Sequence, residues 1–201
     1  MPSCMIHLHT AHLLRGGRGA LFCLGAVAPD AIEDWRAKDR THLRDAPDRA
    51  AALAATARNT DPRDDFAEGA LLHLYTDWLW DTDQLERYWA SLGGGGSRPG
   101  RPAGGDWVAL YRHEISLASA WVYHHSPWAR ALWEELLAVP QGYYGPLPGM
   151  DKKDIRAYLT RNFQWHEAHS GDPSALFPPQ EAEAFTLAAA RGYPAWRATV
   201  G

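Results

Sequence analysis

The chain has 201 residues, 46% of them apolar, and a formal net charge of −4 with its histidines neutral. That length fits one ordinary domain with a real core, and the charge excludes a general electrostatic attraction to nucleic acid or anionic membrane. No apolar run approaches the roughly 20 residues of a membrane span, and the start, Met1-Pro2-Ser3-Cys4, lacks the basic segment of a secretory signal, so a soluble cytoplasmic protein without integral membrane association is expected.

The pattern is helical throughout, without the alternating runs and hairpin turns of strands. Ser3 is placed to cap a first helix that runs to Arg15 and ends at Gly16-Gly17. A short apolar helix, Ala20 to Val27, stops at Pro29-Asp30. Asp34 to Arg44 is polar and charged and reads as a surface crossing, and Pro47 to Arg58 is Ala-rich and helical. Asp61-Pro62 offers an N-cap and an N1 proline with Asp64 and Asp65 in the first turn. It predicts a central helix over 62–80 that is apolar almost all round and therefore buried. Asp81 or Thr82 is placed to cap a continuation to Leu92.

Residues 93–105 (GGGGSRPGRPAGG) lack the Gly-Lys-Ser/Thr ending of a phosphate-binding loop and read as a flexible loop inside the domain. Asp106 then caps a helix to His125, Ser126-Pro127 starts one ending near Val139, and Gln141 to Met150 is a loop. Asp151 caps a helix to His169, and Pro178-Pro179 opens the last, which Gly192 is expected to close. No repeat is present, and Cys4 and Cys23 read as reduced core thiols. The tryptophans read mainly as aromatic core. The expectation is one all-α domain over residues 1–201 with about seven to nine helices.

The helix over 62–80 carries His73 and Asp77 four residues apart on one face. A buried carboxylate is costly unless something pairs with it, and alone the two residues read as a pair satisfying each other in the core. Three further residues change that reading. His7 starts an apolar helix, Asp30 follows Pro29, and His42 lies in Thr41-His42-Leu43-Arg44-Asp45. Taken singly they read as a core histidine, a helix cap and a surface histidine. Together the five supply two carboxylates and three imidazoles, a set that suits zinc and other first-row divalent ions better than calcium or magnesium.

The order His7, Gly25-x-x-x-Pro29-Asp30, Thr41-His42-x-x-Asp45, Leu72-His73-x-x-x-Asp77 resembles the zinc-dependent phospholipase C family, whose all-helical superfamily also holds the zinc-dependent single-strand nucleases. The likeness covers roughly the first 80 residues. It implies that Asp30, His42, His73 and Asp77 form one zinc site, and that His7 binds a neighbouring ion bridged through Asp77. His9 and His12 compete with His7 for that role. The family's third zinc uses two more histidines and a glutamate, the last two spaced H-x-x-x-E. No such spacing follows Asp77, although His113, Glu114, His124, His125, His166, Glu167 and His169 are present. One or two ions are therefore expected, with zinc first and manganese, iron or nickel as possible substitutes.

The resemblance implies a phosphoesterase that uses a metal-activated water on a small phosphate ester or phospholipid-like substrate, and the net charge gives no expectation of a nucleic-acid partner. Asp30 is the candidate to orient or deprotonate that water, and Asp45 or Glu114 to hold a ligand histidine in its tautomer. The alternative is a non-catalytic helical protein with a structural or regulatory metal. HD-type phosphohydrolases fit less well, because Leu43 follows His42 and Leu74 follows His73. Lys152, Lys153, Arg156 and Arg161 read as the solvated side of a late helix, and His124-His125 as either a helix end or a pocket lining.

Overall fold

Residues 2–91 and 107–200 are described by the computed structural model, and they are all-α, with no strand among them. The segment 93–105 and the cap Asp106 lie outside the described residues. Helix α1 spans Cys4–Leu14 and α2 spans Ala20–Gly25, followed by a 3-10 turn at Ala28–Ala31. Helices α3 (Trp35–Thr41), α4 (Arg49–Asn59) and α5 (Asp65–Leu79) come next. A π turn, Trp80–Gln84, joins α5 to α6 (Leu85–Ser91). Beyond residue 106 lie α7 (Trp107–His125), α8 (Ala129–Ala138), α9 (Lys152–Ala168) and α10 (Pro179–Val200). None of these helices is long and apolar enough to cross a membrane.

The crossing of α2 on α5 positions everything that follows. A Cβ added at Gly25 would lie 2.1 Å from the Phe66 carbonyl oxygen, and one at Gly69 would lie 2.0 Å from that of Phe22. The two backbones meet at these glycines with no room for a side chain. Phe22, Leu24, Leu71 and Leu72 fill the core around the crossing. Trp80 and Trp133 are fully buried, as aromatic core residues should be, and Trp35 is exposed. Cys4 and Cys23 are buried free thiols.

Several boundaries differ from the sequence expectation. Ser3 makes no side-chain cap. The stretch read as a surface crossing contains α3, capped by Asp34 through the Ala37 N–H at 2.8 Å. Helix α5 starts from Asp64, whose carboxylate accepts the Ala67 N–H at 3.0 Å. Asp61 instead closes a turn on the Arg63 N–H two residues on, at 2.9 Å. Neither Asp81 nor Thr82 breaks the next segment: Thr82 Oγ1 donates back to Trp78 O at 2.9 Å, and the chain stays helical through the π turn. Gly192 does not end α10, which continues through Pro194. Tertiary contacts hold that last stretch in place. Tyr193 Oη donates to Glu68 Oε1 at 2.7 Å, and Arg197 reaches the same carboxylate at 3.3 Å. Gly192 is there for space, since a Cβ would lie 2.7 Å from Tyr75 Oη.

Helix α9 opens on a full capping box between Asp151 and Asp154 and buries His166 near its end. Burial pushes the His166 pKa down to about 4. The unfolded chain therefore takes up a proton below about pH 6.5 that the folded chain refuses, and stability is lost as pH falls from 6.5 toward 4. Between pH 7.5 and 5.0 this residue should cost the fold about 2 kcal/mol. Urea unfolding at the two pH values should show a drop that is smaller by that amount in His166→Gln. An equal drop in both proteins would show that His166 is not held neutral.

Candidate metal centre

Four separate pieces of chain bring the five sequence-derived residues together. His73 and Asp77 lie on α5 and Asp30 in the 3-10 turn after α2. His42 ends α3 and His7 sits in α1. His7 is 1% exposed, Asp30 is 9% exposed, and His42, His73 and Asp77 are fully buried. Two triads, His7/Asp30/His73 and His42/His73/Asp77, each place their ligand atoms within 4.8 Å of one another. His73 is the member common to both. The Asp77 carboxylate still faces two ways, with Oδ1 3.4 Å from His7 Nε2 and Oδ2 3.7 Å from His42 Nε2.

The tautomers follow from the backbone. His73 Nδ1 lies 2.8 Å from Ala26 O, and His42 Nδ1 lies 2.7 Å from Lys38 O. A carbonyl oxygen can only accept, so each Nδ1 carries the proton and each Nε2 is left with a lone pair. The two Nε2 atoms face each other at 3.1 Å. Two lone pairs at that distance repel unless a cation lies between them. A shared proton is one such cation, but burial, together with His7, holds His73 well below the ordinary histidine range. A metal ion is the other. Tetrahedral zinc with Zn–N bonds of about 2.0–2.1 Å sets two imidazole nitrogens roughly 3.3 Å apart. Asp30 Oδ1 stands 3.6 Å from His42 Nε2, beyond a good hydrogen bond and close to the same spacing. Both ring nitrogens of His7, and Asp77 Oδ1, are buried without a hydrogen-bond partner.

Cations already neutralise the carboxylates. Lys38 Nζ is 2.8 Å from Asp30 Oδ1, Arg44 Nη2 is 2.8 Å from Asp77 Oδ2, and Arg49 Nη1 is 2.7 Å from Asp81 Oδ2. Burial alone would raise the Asp30 carboxyl, but Lys38 and the surrounding imidazoles outweigh it and hold it well below the usual range. Asp77 is likewise held down, with His7 and His73 overcoming burial.

Arg44 reaches the site through an unusual turn. Leu43 adopts φ +58°, a left-handed conformation that costs a non-glycine residue roughly 1–2 kcal/mol. The Arg44 N–H bonds Asp39 O at 2.8 Å and the Leu43 N–H bonds Arg40 O at 3.0 Å, the paired bonds of a Schellman helix end. The turn sends His42 and Arg44 to the same cluster.

The sequence reading did not place Lys38, Arg44, Arg49 or Asp81 at this site, and it gave Asp81 only a capping role. Arg44 stands inside the motif Thr41-His42-x-x-Asp45, two residues after His42, and that proximity was the available signal. Two expected supports are not used. Asp45 is exposed, and Glu114 is held by Ser174 Oγ at 2.7 Å and by the Ala175 and Leu176 N–H groups at 2.9 and 3.2 Å. Backbone carbonyls orient His42 and His73 in their place. The competitors of His7 point elsewhere: His9 meets Thr186 Oγ1 at 3.2 Å, and His12 stacks on Trp128 with ring centroids 4.2 Å apart. His124 is a helix-end residue, its Nε2 lying 2.9 Å from His166 O and 2.6 Å from His169 O. On the basic face of α9, Arg156 is tied to the carbonyls of Leu137 and Val139, and Arg161 to Glu33 at 3.0 Å.

Two cavities adjoin the centre. One of about 330 Å³ is lined by Asp30, Lys38, Ser119, Tyr158, Asn162 and His166, among others. The second, about 1010 Å³, carries Arg44, Arg49, Asp81 and Arg112 on its wall. No family model, curated protein or solved structure matches the chain.

Proposed function

We propose that the protein is a metal-dependent hydrolase of phosphate esters, of the zinc-dependent phospholipase C-like class, working in the cytoplasm with zinc as its ion. The opposed Nε2 lone pairs of His42 and His73, 3.1 Å apart beside two carboxylates, carry this reading. His42, His73, Asp77 and Asp30 would hold the ion, with His7 beside Asp77. Bound zinc supplies an activated water and polarises a phosphoryl oxygen. Asp30 reaches the wall of a cavity, and its carboxylate is the group to orient or deprotonate a water there. Lys38 meets Asp30 on the same wall, where its ammonium faces the anion of an incoming ester. Arg44 and Arg49 extend positive charge toward the larger cavity.

A second reading is a structural or regulatory metal. The complete burial of His42, His73 and Asp77 favours it, since structural zinc sites are closed whereas catalytic ones keep an open position. Metal analysis, followed by assay of phosphomonoester and phosphodiester substrates, separates the two. Hydrolysis that is restored by zinc and absent in Asp30→Asn supports the enzyme. Tight zinc binding with no turnover of any ester above the Asp30→Asn background leaves the structural reading.

A further inference from the structure

Ser119 does not bond back along its own helix as several of the small hydroxyl residues do. Thr10, Thr76 and Ser116 each bond back to the carbonyl four residues earlier, at 2.9, 2.8 and 2.7 Å, the usual way a helix satisfies such a group. Ser119, in the middle of α7, instead reaches across to α9, where its Oγ lies 2.9 Å from His166 Nε2. His166 Nδ1 is 2.6 Å from Asn162 O, a carbonyl that can only accept. The imidazole proton is therefore on Nδ1 and Nε2 is an acceptor. Burial keeps this ring neutral near pH 7. The Ser119 hydroxyl must then donate to His166, and what its oxygen has left is lone pairs. The Cys4 thiol, 3.8 Å from Ser119 Oγ, donates to Asn162 Oδ1 at 3.5 Å. Asn162 Nδ2 is in turn engaged by Tyr158 O at 3.0 Å.

Ser119, His166, Asp30 and Lys38 all line the 330 Å³ cavity. That cavity has a cationic and carboxylate end at the candidate metal centre and a fixed acceptor at Ser119. We propose that Ser119 is a specificity-determining residue of the cavity, accepting a hydrogen bond from a hydroxyl on the alcohol part of the substrate, which makes the substrate a polyol phosphate. An ammonium donor fits less well, because the Lys38 ammonium lines the same small cavity. The proposal rests on the hydrolase reading for the placement of the phosphate, whereas the acceptor itself rests on the Ser119–His166–Asn162 chain. A buried acceptor left unpaired is costly, so a site of this kind discriminates against an analogue that lacks the donor.

Glycerol phosphate and n-propyl phosphate share a carbon skeleton and differ in the hydroxyls. Zinc-loaded wild-type protein should bind glycerol phosphate about tenfold more tightly by calorimetry. It should turn it over with a kcat/KM higher by a similar factor. Ser119→Ala should bring the two ligands to within about twofold. Ser119→Cys, which keeps the size but offers a poor acceptor, should do the same, and thermal melts establish that both variants are folded. Equal binding of the two esters by wild type, or a preference that survives both substitutions, overturns the proposal. A binding preference that is lost in the variants, with no turnover of either ester, upholds the subsite and removes the hydrolase reading.

Discussion

Zinc at about a thousand times its dissociation constant should raise the unfolding free energy of the protein by roughly 4 kcal/mol, and His73→Ala should abolish that response. The gain is the mass-action consequence of binding to the folded state alone. His73 is the decisive residue for this test because it belongs to both candidate triads and because its Nε2 is one of the two atoms held 3.1 Å apart. In the metal-free protein the same substitution has a mixed effect. It opens a cavity in the core, which destabilises, but it also removes one of the two opposed lone pairs. His73→Ala should therefore cost the metal-free protein less than an ordinary core truncation, while removing all of the zinc response. Chelator titration followed by urea unfolding of both proteins measures the two quantities. A His73→Ala variant that zinc still stabilises by several kcal/mol would remove this centre from consideration.

The second large effect is expected at a residue that touches no ligand atom. Gly69→Ala puts a methyl group 2.0 Å from Phe22 O and 3.0 Å from Ala26 N, and backbone atoms cannot swing aside as a flexible side chain can. Alanine is the better helix former by about 1 kcal/mol, so propensity alone favours the substitution. Overpacking a tight core costs about 1–3 kcal/mol, and more where backbone must move. The clash should win, with a net loss of about 2 kcal/mol or more in urea unfolding. Separating α2 from α5 would also stretch the 2.8 Å bond from His73 Nδ1 to Ala26 O, which fixes the tautomer of the ligand. Zinc affinity should consequently fall although every ligand is retained. A Gly69→Ala protein as stable as wild type, with unchanged zinc affinity, would show that the crossing can relax without disturbing the centre.

The parts of this centre that the sequence reveals are side chains with a chemical signature in a recognisable order. His7, Asp30, His42, His73 and Asp77 could be proposed together before any coordinates, and they do converge. The all-α class was legible for a similar reason, because capping residues and apolar periodicity are local. What was hidden depends on backbone atoms or on distant geometry. The carbonyls of Ala26 and Lys38 orient the two histidines, and a carbonyl has no residue type to betray it. Arg44 joins the site through the left-handed Leu43, a position where glycine is usual and where the leucine gives no warning. Glu114 looked like a partner for a metal-bound histidine, yet it is committed to the turn at Ser174–Leu176. The run of α10 past Gly192 and Pro194 rests on Glu68, a partner more than a hundred residues away in sequence.

Lys38, Arg44 and Arg49 match Asp30, Asp77 and Asp81 in number, with Arg44 and Arg49 shared between Asp77 and Asp81. The carboxylates are thus balanced in charge before any ion arrives, and they need no metal to be buried, whereas the opposed imidazole nitrogens do call for a cation. A divalent cation entering such a place brings two positive charges that no protein group cancels. Their natural complement is a doubly charged anion, which has little reason to enter while the balance is intact. In the proposed hydrolase the order of assembly therefore follows from charge balance, with the ion first and the ester second.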